Sequence, residues 1–123
     1  MELQKEAVQI LYDRCISFLE TNKDIYEETV KTIKYINLLE SSKIKIKKID
    51  VDIYNYEQML NNKYVKDEIK KDIENLLLEK LEIADDIEFY TKKINSLKPS
   101  EDVYMSYIYC QSDIRRYEKI LLS

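Results

Sequence analysis

The sequence predicts an all-α fold, and two of its features carry that prediction. The 123-residue chain contains no glycine and a single proline, Pro99. Without glycine, tight β-hairpins and phosphate-binding loops are disfavoured, and the glycine-rich nucleotide-binding motifs are absent. Apolar residues also recur every three or four positions over long stretches, as they do on one face of a helix. We therefore predict four helices in a single domain spanning residues 1–123.

The strongest periodic pattern predicts a long helix whose apolar face needs a partner helix. Eight of its nine face positions are apolar or aromatic: Ile69, Ile73, Leu76, Lys80, Ile83, Ile87, Tyr90, Ile94 and Leu97. A similar pattern precedes it, at Leu39, Ser42, Ile46, Ile49, Ile53, Tyr56 and Leu60. We therefore predict an antiparallel coiled-coil hairpin with limbs at about 25–60 and 64–98. The chain is expected to reverse at Asn61-Asn62, because asparagine tolerates the left-handed conformation that ends many helices.

Two polar residues in these apolar patterns suggest the register of the hairpin. The pairing that sets Ile53 opposite Ile69 also sets Ser42 opposite Lys80. A shared polar layer of this kind specifies register at some cost in stability. We therefore predict that Ser42 and Lys80 form a register layer.

Shorter helices are expected on either side of the hairpin. The first spans residues 2–21, with a broad apolar stripe made of Leu3, Ala7, Ile10, Leu11, Cys15, Phe18 and Leu19. Asp24 and Glu27 resemble a capping box, so the next helix is predicted to begin near Ile25. A single helix running through Asn22 is an alternative that the sequence leaves open.

The last helix is predicted from Ser100 to about Leu121. Pro99 ends the preceding helix, and Ser100 is a suitable N-cap. The apolar face of this helix would consist of Val103, Tyr107, Cys110, Ile114, Tyr117 and Leu121. We expect each terminal helix to fold back along the limb it adjoins, covering Val30 and Ile33 on one limb and Leu77, Leu81 and Ala84 on the other. The hairpin tip would then keep an exposed apolar flank at Ile44, Val51 and Tyr54.

Two further local structures stay open at this stage. Residues 43–53 alternate between polar and β-branched side chains, as a half-buried strand does, although the flanking periodicity favours a helix. Cys15 and Cys110 both lie on predicted apolar faces, where free cysteines are usually buried and reduced. A disulfide between the first and last helices is the alternative.

Composition argues against most chemistry. The chain has no histidine, so the commonest general base and metal ligand is missing. We predict no catalytic, cofactor or metal site. The acidic residues Glu82, Asp85 and Asp86 lack the histidine partners of carboxylate metal sites in helical bundles. The net charge is −4, and no apolar run is long enough to span a membrane. We expect no membrane association and a location in the cytoplasm of the host cell.

Two groups of residues are candidates for partner binding. Tyrosine and arginine are enriched at protein interfaces, and the last helix carries both types, at Tyr104, Tyr109, Arg115 and Arg116. A basic run could contact phosphate groups or a partner: Lys43, Lys45, Lys47 and Lys48. Exposed apolar surface at the hairpin tip would favour a homodimer, formed through the tip or through the terminal helices.

The sequence therefore favours a non-enzymatic helical protein-protein interaction module. Its size and its lysine-, isoleucine- and asparagine-rich composition suit a small adaptor or inhibitor from a phage or mobile element of an AT-rich host. The second hypothesis is a nucleic-acid-associated accessory protein that uses the basic run and the Tyr/Arg-rich last helix. We rank this hypothesis lower because the overall charge is negative.

Overall fold

A computed structural model describes residues 2–123, and in this part of the chain it contains three α-helices. They are α1 (Glu2–Gln58), α2 (Lys66–Ser96) and α3 (Glu101–Leu121). The all-α class is confirmed, and no strand occurs among the described residues. The prediction of four helices is wrong, because the first two predicted helices are one.

The continuity of α1 has a simple local cause. The segment around Asn22 contains neither proline nor glycine, and the Asn22 side chain donates a hydrogen bond to the Phe18 carbonyl, 3.0 Å away, one turn earlier. The capping-box residues Asp24 and Glu27 are therefore ordinary exposed residues of a helix that is already formed. Of the two alternatives at Asn22, the uninterrupted helix is the one present.

The strand alternative for residues 43–53 is also wrong, since the whole segment is helical. Its apparent alternation comes from β-branched residues on different sides of one helix. Ile49 is buried and Ile53 half-buried, whereas Ile44 and Val51 are exposed.

The chain forms two compact units, and each is described by itself. The first unit combines α1 up to Thr32 with Leu97–Ser123, which includes α3. The second unit is Ile33–Ser96, in which the rest of α1 packs on α2.

In the second unit, the predicted apolar faces are the faces that become buried. The eight predicted positions of α2 from Ile69 to Ile94 are buried or half-buried, and every other residue of the helix is exposed. All seven predicted positions from Leu39 to Leu60 are likewise buried or half-buried, six of them on α1 and Leu60 just after its end, and Asp52 is the one further residue of that segment to join them. The predicted limbs, about 25–60 and 64–98, end within two residues of Gln58, Lys66 and Ser96.

The two polar residues of these faces have different environments. Ser42 is buried. Lys80 is half-exposed, and its Nζ lies 2.6 Å from Oδ1 of Asp50. Asp50 is eight residues, or about 12 Å of helix, beyond Ser42. The lysine charge is therefore paired with an acid at the edge of the helix pair, and the register layer of Ser42 and Lys80 stays a prediction.

The connection between α1 and α2 reverses without any left-handed residue. No residue in the described part of the chain has a positive φ angle, so that expected role of Asn61-Asn62 is wrong. The side chain acts instead, because Oδ1 of Asn62 accepts a hydrogen bond from the Tyr64 amide at 3.0 Å. Such a bond is the usual way in which asparagine stabilises a turn.

In the first unit, a buried threonine ties the start of α3 to α1. Ser100 is the N-cap of α3, as predicted, and its hydroxyl accepts from the Val103 amide. Its own amide donates to Oγ1 of Thr29 at 2.9 Å. The Thr29 hydroxyl in turn donates to the Ile25 carbonyl at 2.8 Å. Thr29 is 4% exposed, so both hydrogen bonds are shielded from water.

Aromatic stacking continues the contact between α1 and α3. The Tyr26 ring lies parallel to Tyr107 at 4.0 Å between centroids and to Tyr104 at 5.6 Å. All six predicted face positions of α3, from Val103 to Leu121, are buried or half-buried. The apolar face of this helix is therefore confirmed.

The broad stripe predicted at the N-terminus is wrong in its first half, whereas Cys15, Phe18 and Leu19 are half-buried as predicted. The residues Leu3, Ala7, Ile10 and Leu11 are exposed, whereas Val8 is buried and Tyr12 half-buried. A single partner helix, α3, covers only a narrow strip of α1. The prediction assumed that this segment would fold back on a hairpin limb, which would have covered more of it.

We expect Thr29→Val to lower the free energy of unfolding by about 1–3 kcal/mol, because the variant leaves the Ser100 amide without its buried acceptor. Thr91→Val is the matched control, since the exposed Thr91 hydroxyl also donates to the carbonyl four residues earlier. Urea unfolding followed by circular dichroism measures both. Equal losses in the two variants would contradict the role given to Thr29.

We expect Lys80→Leu to raise the free energy of unfolding by about 1 kcal/mol. A half-exposed ion pair contributes about 0–1 kcal/mol, whereas a leucine on an otherwise apolar helix face contributes more. Asp50→Asn removes the same ion pair without adding apolar surface, and should lie within about 1 kcal/mol of the wild type. A Lys80→Leu protein less stable than Asp50→Asn would overturn this account of Lys80.

Candidate protein interface

The basic run does not form one patch, because α1 divides its lysines between two sides. Lys43 and Lys47 are four residues apart and share a side, and Lys45 and Lys48 are three apart and share another. Residues two apart, such as Lys43 and Lys45, lie about 200° apart around a helix. The four lysines are therefore unable to present a single surface to a phosphate backbone.

Acidic residues accompany each pair of lysines. Nζ of Lys43 lies 3.7 Å from Oε1 of Glu40. Lys45 and Lys48 line a shallow groove together with Asp52 and Glu79. The local positive charge is therefore partly balanced on both sides of α1.

The four candidate residues of α3 have different surroundings. Tyr104 is half-buried and stacks on Tyr26, so it belongs to the packing of the first unit. Arg116 donates to Oδ1 of Asp113 at 2.7 Å, and its guanidinium lies 5.8 Å from the centre of the Tyr117 ring. Tyr109 is 62% exposed and Arg115 is exposed. Tyr109 and Arg115 are thus the members of this group most accessible to a partner.

The second unit has a polar side, formed by both of its helices. Shallow grooves there are lined by charged and amide side chains, chiefly Lys45, Lys48 and Asp52 from α1 and Asn75 and Glu79 from α2. Because residues of both helices line the same grooves, these sides of α1 and α2 lie next to each other. We name this surface the polar side.

The most exposed apolar group of α2 is centred away from the polar side, and one member, Leu78, borders that side because it lies three residues after Asn75. Leu77 is two residues from both Asn75 and Glu79, and Leu81 is two residues from Glu79, which places each leucine about 200° from its polar neighbours. Leu78 and Leu81 are 60% and 63% exposed. We name the group the leucine cluster, which consists of Leu77, Leu78, Leu81 and Ala84.

The expectation that the terminal helices cover Val30, Ile33, Leu77, Leu81 and Ala84 is wrong, since all five are exposed. The first helix, α1, is one 57-residue helix that never turns back, and in the first unit α3 contacts α1 at Tyr26 and Thr29, so neither helix supplies the predicted cover. Ile44, Val51 and Tyr54 on α1 are exposed, as predicted for the hairpin tip. Sequence reasoning found these apolar residues but placed the leucines in a core.

The two cysteines lie together between α1 and α3. Both are free and half-buried, and Cys15 is close enough to Cys110 to affect its ionisation. Burial, the neighbouring Cys15 thiol and the nearby charge of Asp113 raise the pKa of Cys110 from 9.0 to about 11. In this structure no disulfide joins the two cysteines. A raised pKa makes Cys110 a poor nucleophile at neutral pH.

The described part of the chain has neither a metal-binding cluster nor a membrane-spanning helix. In residues 2–123, no group of three or more histidine, cysteine, aspartate or glutamate side chains is arranged to hold a metal ion. No helix in that range is both long and apolar enough to cross a membrane. Comparison of the chain with protein-family models, curated proteins and solved structures finds no match.

We expect the alkylation rate of Cys110 by iodoacetamide to rise until about pH 11 in the folded protein. In the urea-unfolded protein it should level off above pH 9, because the unfolded thiol has its ordinary pKa. Site-resolved mass spectrometry measures the rate. Between pH 9 and 11 the thiol is protonated in the folded protein and deprotonated in the unfolded chain. Its contribution to the free energy of unfolding is therefore present below pH 9 and is lost as the pH rises from 9 to 11. A plateau at the same pH in both states would refute the raised pKa.

Proposed function

We propose that this chain is a non-enzymatic helical interaction module that binds a protein partner through the exposed apolar surface of its second unit. The observation that carries the proposal is the leucine cluster, a group of large apolar side chains left in water on a regular helix. Contiguous exposed apolar surface of this kind is a mark of protein interaction sites.

The spacing of the cluster supports recognition by another helix or helix pair. Leu81 lies four residues after Leu77, three after Leu78 and three before Ala84, so the four side chains form one continuous patch. Apolar residues at such spacings are the anchors by which helices dock into one another. A second copy of the chain and a different protein are both able to supply the complementary surface.

The chemistry of the remaining surface favours binding over catalysis. Cys110, a potential nucleophile, has a raised pKa, and the grooves of the polar side are shallow and lined by charges of both signs. The separation of Lys43 and Lys47 from Lys45 and Lys48 weakens the nucleic-acid hypothesis. A small adaptor or inhibitor is the kind of protein that these features suit.

A pull-down from cells that naturally produce the protein tests this function, with Leu81→Lys and Asn75→Lys as matched variants. Each adds one positive charge at an exposed position of α2, but Asn75 lies on the polar side. We expect the wild type and Asn75→Lys to retain the same protein, which can be an untagged copy of the chain, and Leu81→Lys to lose it. Binding that is equal in all three proteins, or absent from all three, would refute an interaction through the leucine cluster.

A further inference from the structure

We propose that the leucine cluster binds an amphipathic helix of a protein partner, in which lysine and arginine flank the apolar side chains. This inference rests on the proposed function and names the chemistry of the partner for the same surface. It is carried by the charges that surround the cluster on α2.

Acidic side chains predominate around the leucine cluster. On a helix, the neighbours of a residue lie three or four positions away from it. The charged neighbours of the cluster, defined in this way, are Glu74, Lys80, Glu82, Asp85 and Glu88. All four acids are exposed, whereas the lysine is half-buried. We name the four acids the acidic rim.

Two lysines next to the acidic rim are already paired with acids. Nζ of Lys80 lies 2.6 Å from Oδ1 of Asp50, and Nζ of Lys92 lies 3.0 Å from Oε1 of Glu88. Within residues 2–123, the other three acids of the rim take part in no ion pair. An excess of negative charge is therefore left around an apolar centre.

The acidic rim distinguishes between possible occupants of the cluster. It disfavours pairing with a second copy, because a two-fold axis at Leu81 would set Leu77 opposite Asp85 and Glu74 opposite Glu88. It also disfavours nucleic acids and anionic lipid surfaces, since both carry negative charge. Lysine and arginine of a partner would instead meet acids, and such complementary charges favour specific and rapid association.

The geometry of the cluster favours a helical partner. α2 is a regular helix with internal backbone hydrogen bonds, so it has no free strand edge to which an extended peptide could add. Apolar side chains at three- and four-residue spacings pack between those of a second helix. The stretch from Glu74 to Glu88 is about 21 Å long at 1.5 Å per residue, which matches a partner helix of about 14 residues.

Fluorescence anisotropy of labelled model peptides with the full chain tests this inference. The main probe is a helical peptide of about 14 residues, built from leucine and lysine, with leucines at three- and four-residue spacings. A second peptide has glutamate in place of each lysine, and a third keeps the lysines but has a central proline that disrupts the helix. We expect the main probe to bind at least about tenfold more tightly than either control peptide. Its dissociation constant should rise with sodium chloride concentration, because salt screens the contacts with the acidic rim.

Two pairs of matched variants locate the binding surface. Leu81→Lys and Asn55→Lys each add one positive charge, and Asn55 is exposed on α1, where it lines a groove with Asp52. Asp85→Lys and Asp72→Lys each reverse one exposed acid of α2, and Asp72 lines a groove of the polar side. We expect Leu81→Lys to raise the dissociation constant of the main probe at least about tenfold, and Asp85→Lys to raise it about fivefold. The two control variants should change it less than about twofold.

Circular dichroism checks that the variants are folded, and Asp85→Asn provides a milder change in the acidic rim. No binding of the main probe, equal binding of a control peptide, tighter binding at high salt, or equal effects within a matched pair would each overturn the basic helical partner. A protein that is retained from cells in a Leu81-dependent manner, but is unaffected by Asp85→Lys, would overturn this inference and leave the proposed function standing.

Discussion

The packing of one helix against one other helix is the constraint on which the rest of this structure depends. In the second unit, the buried face of α2 recurs every three or four residues from Ile69 to Ile94, and no other residue of the helix is shielded. A face of that width is all that a single partner helix is able to cover. Large apolar side chains anywhere else on either helix are left in contact with water, and the leucine cluster is the result.

The same constraint explains which parts of the structure could be predicted. A buried face at heptad spacing is a local property of the sequence, so the inward positions of α2, α3 and the second half of α1 were predictable from residue spacing alone. The number of helices could not be predicted in this way, because the polar segment at Asn22 is as compatible with the surface of one continuous helix as with a break between two helices. Helices are interrupted by proline, by glycine or by tertiary contacts. α1 contains neither proline nor glycine.

The residues that sequence reasoning missed are those whose role depends on distant parts of the chain. Thr29 accepts a hydrogen bond from an amide 71 residues away, and no local pattern distinguishes it from an exposed threonine such as Thr91. The exposure of Leu81 also depends on distant parts of the chain, which in this case leave the side chain uncovered. Its spacing from Leu77 and Ala84 indicates an apolar patch, but only the path of α1 decides whether the patch is covered.

The unequal sides of the second unit connect its packing to a role in assembly. On the polar side, Lys45, Lys48, Asp52 and Glu79 interleave positive and negative charge around shallow grooves, which is the character of a surface that stays in water. On α2 the leucine cluster faces away from them and carries no charge of its own. Without a partner, the exposed leucines would only promote nonspecific association. The asymmetry suits the proposed protein interaction, with one side for solvent and one for a partner.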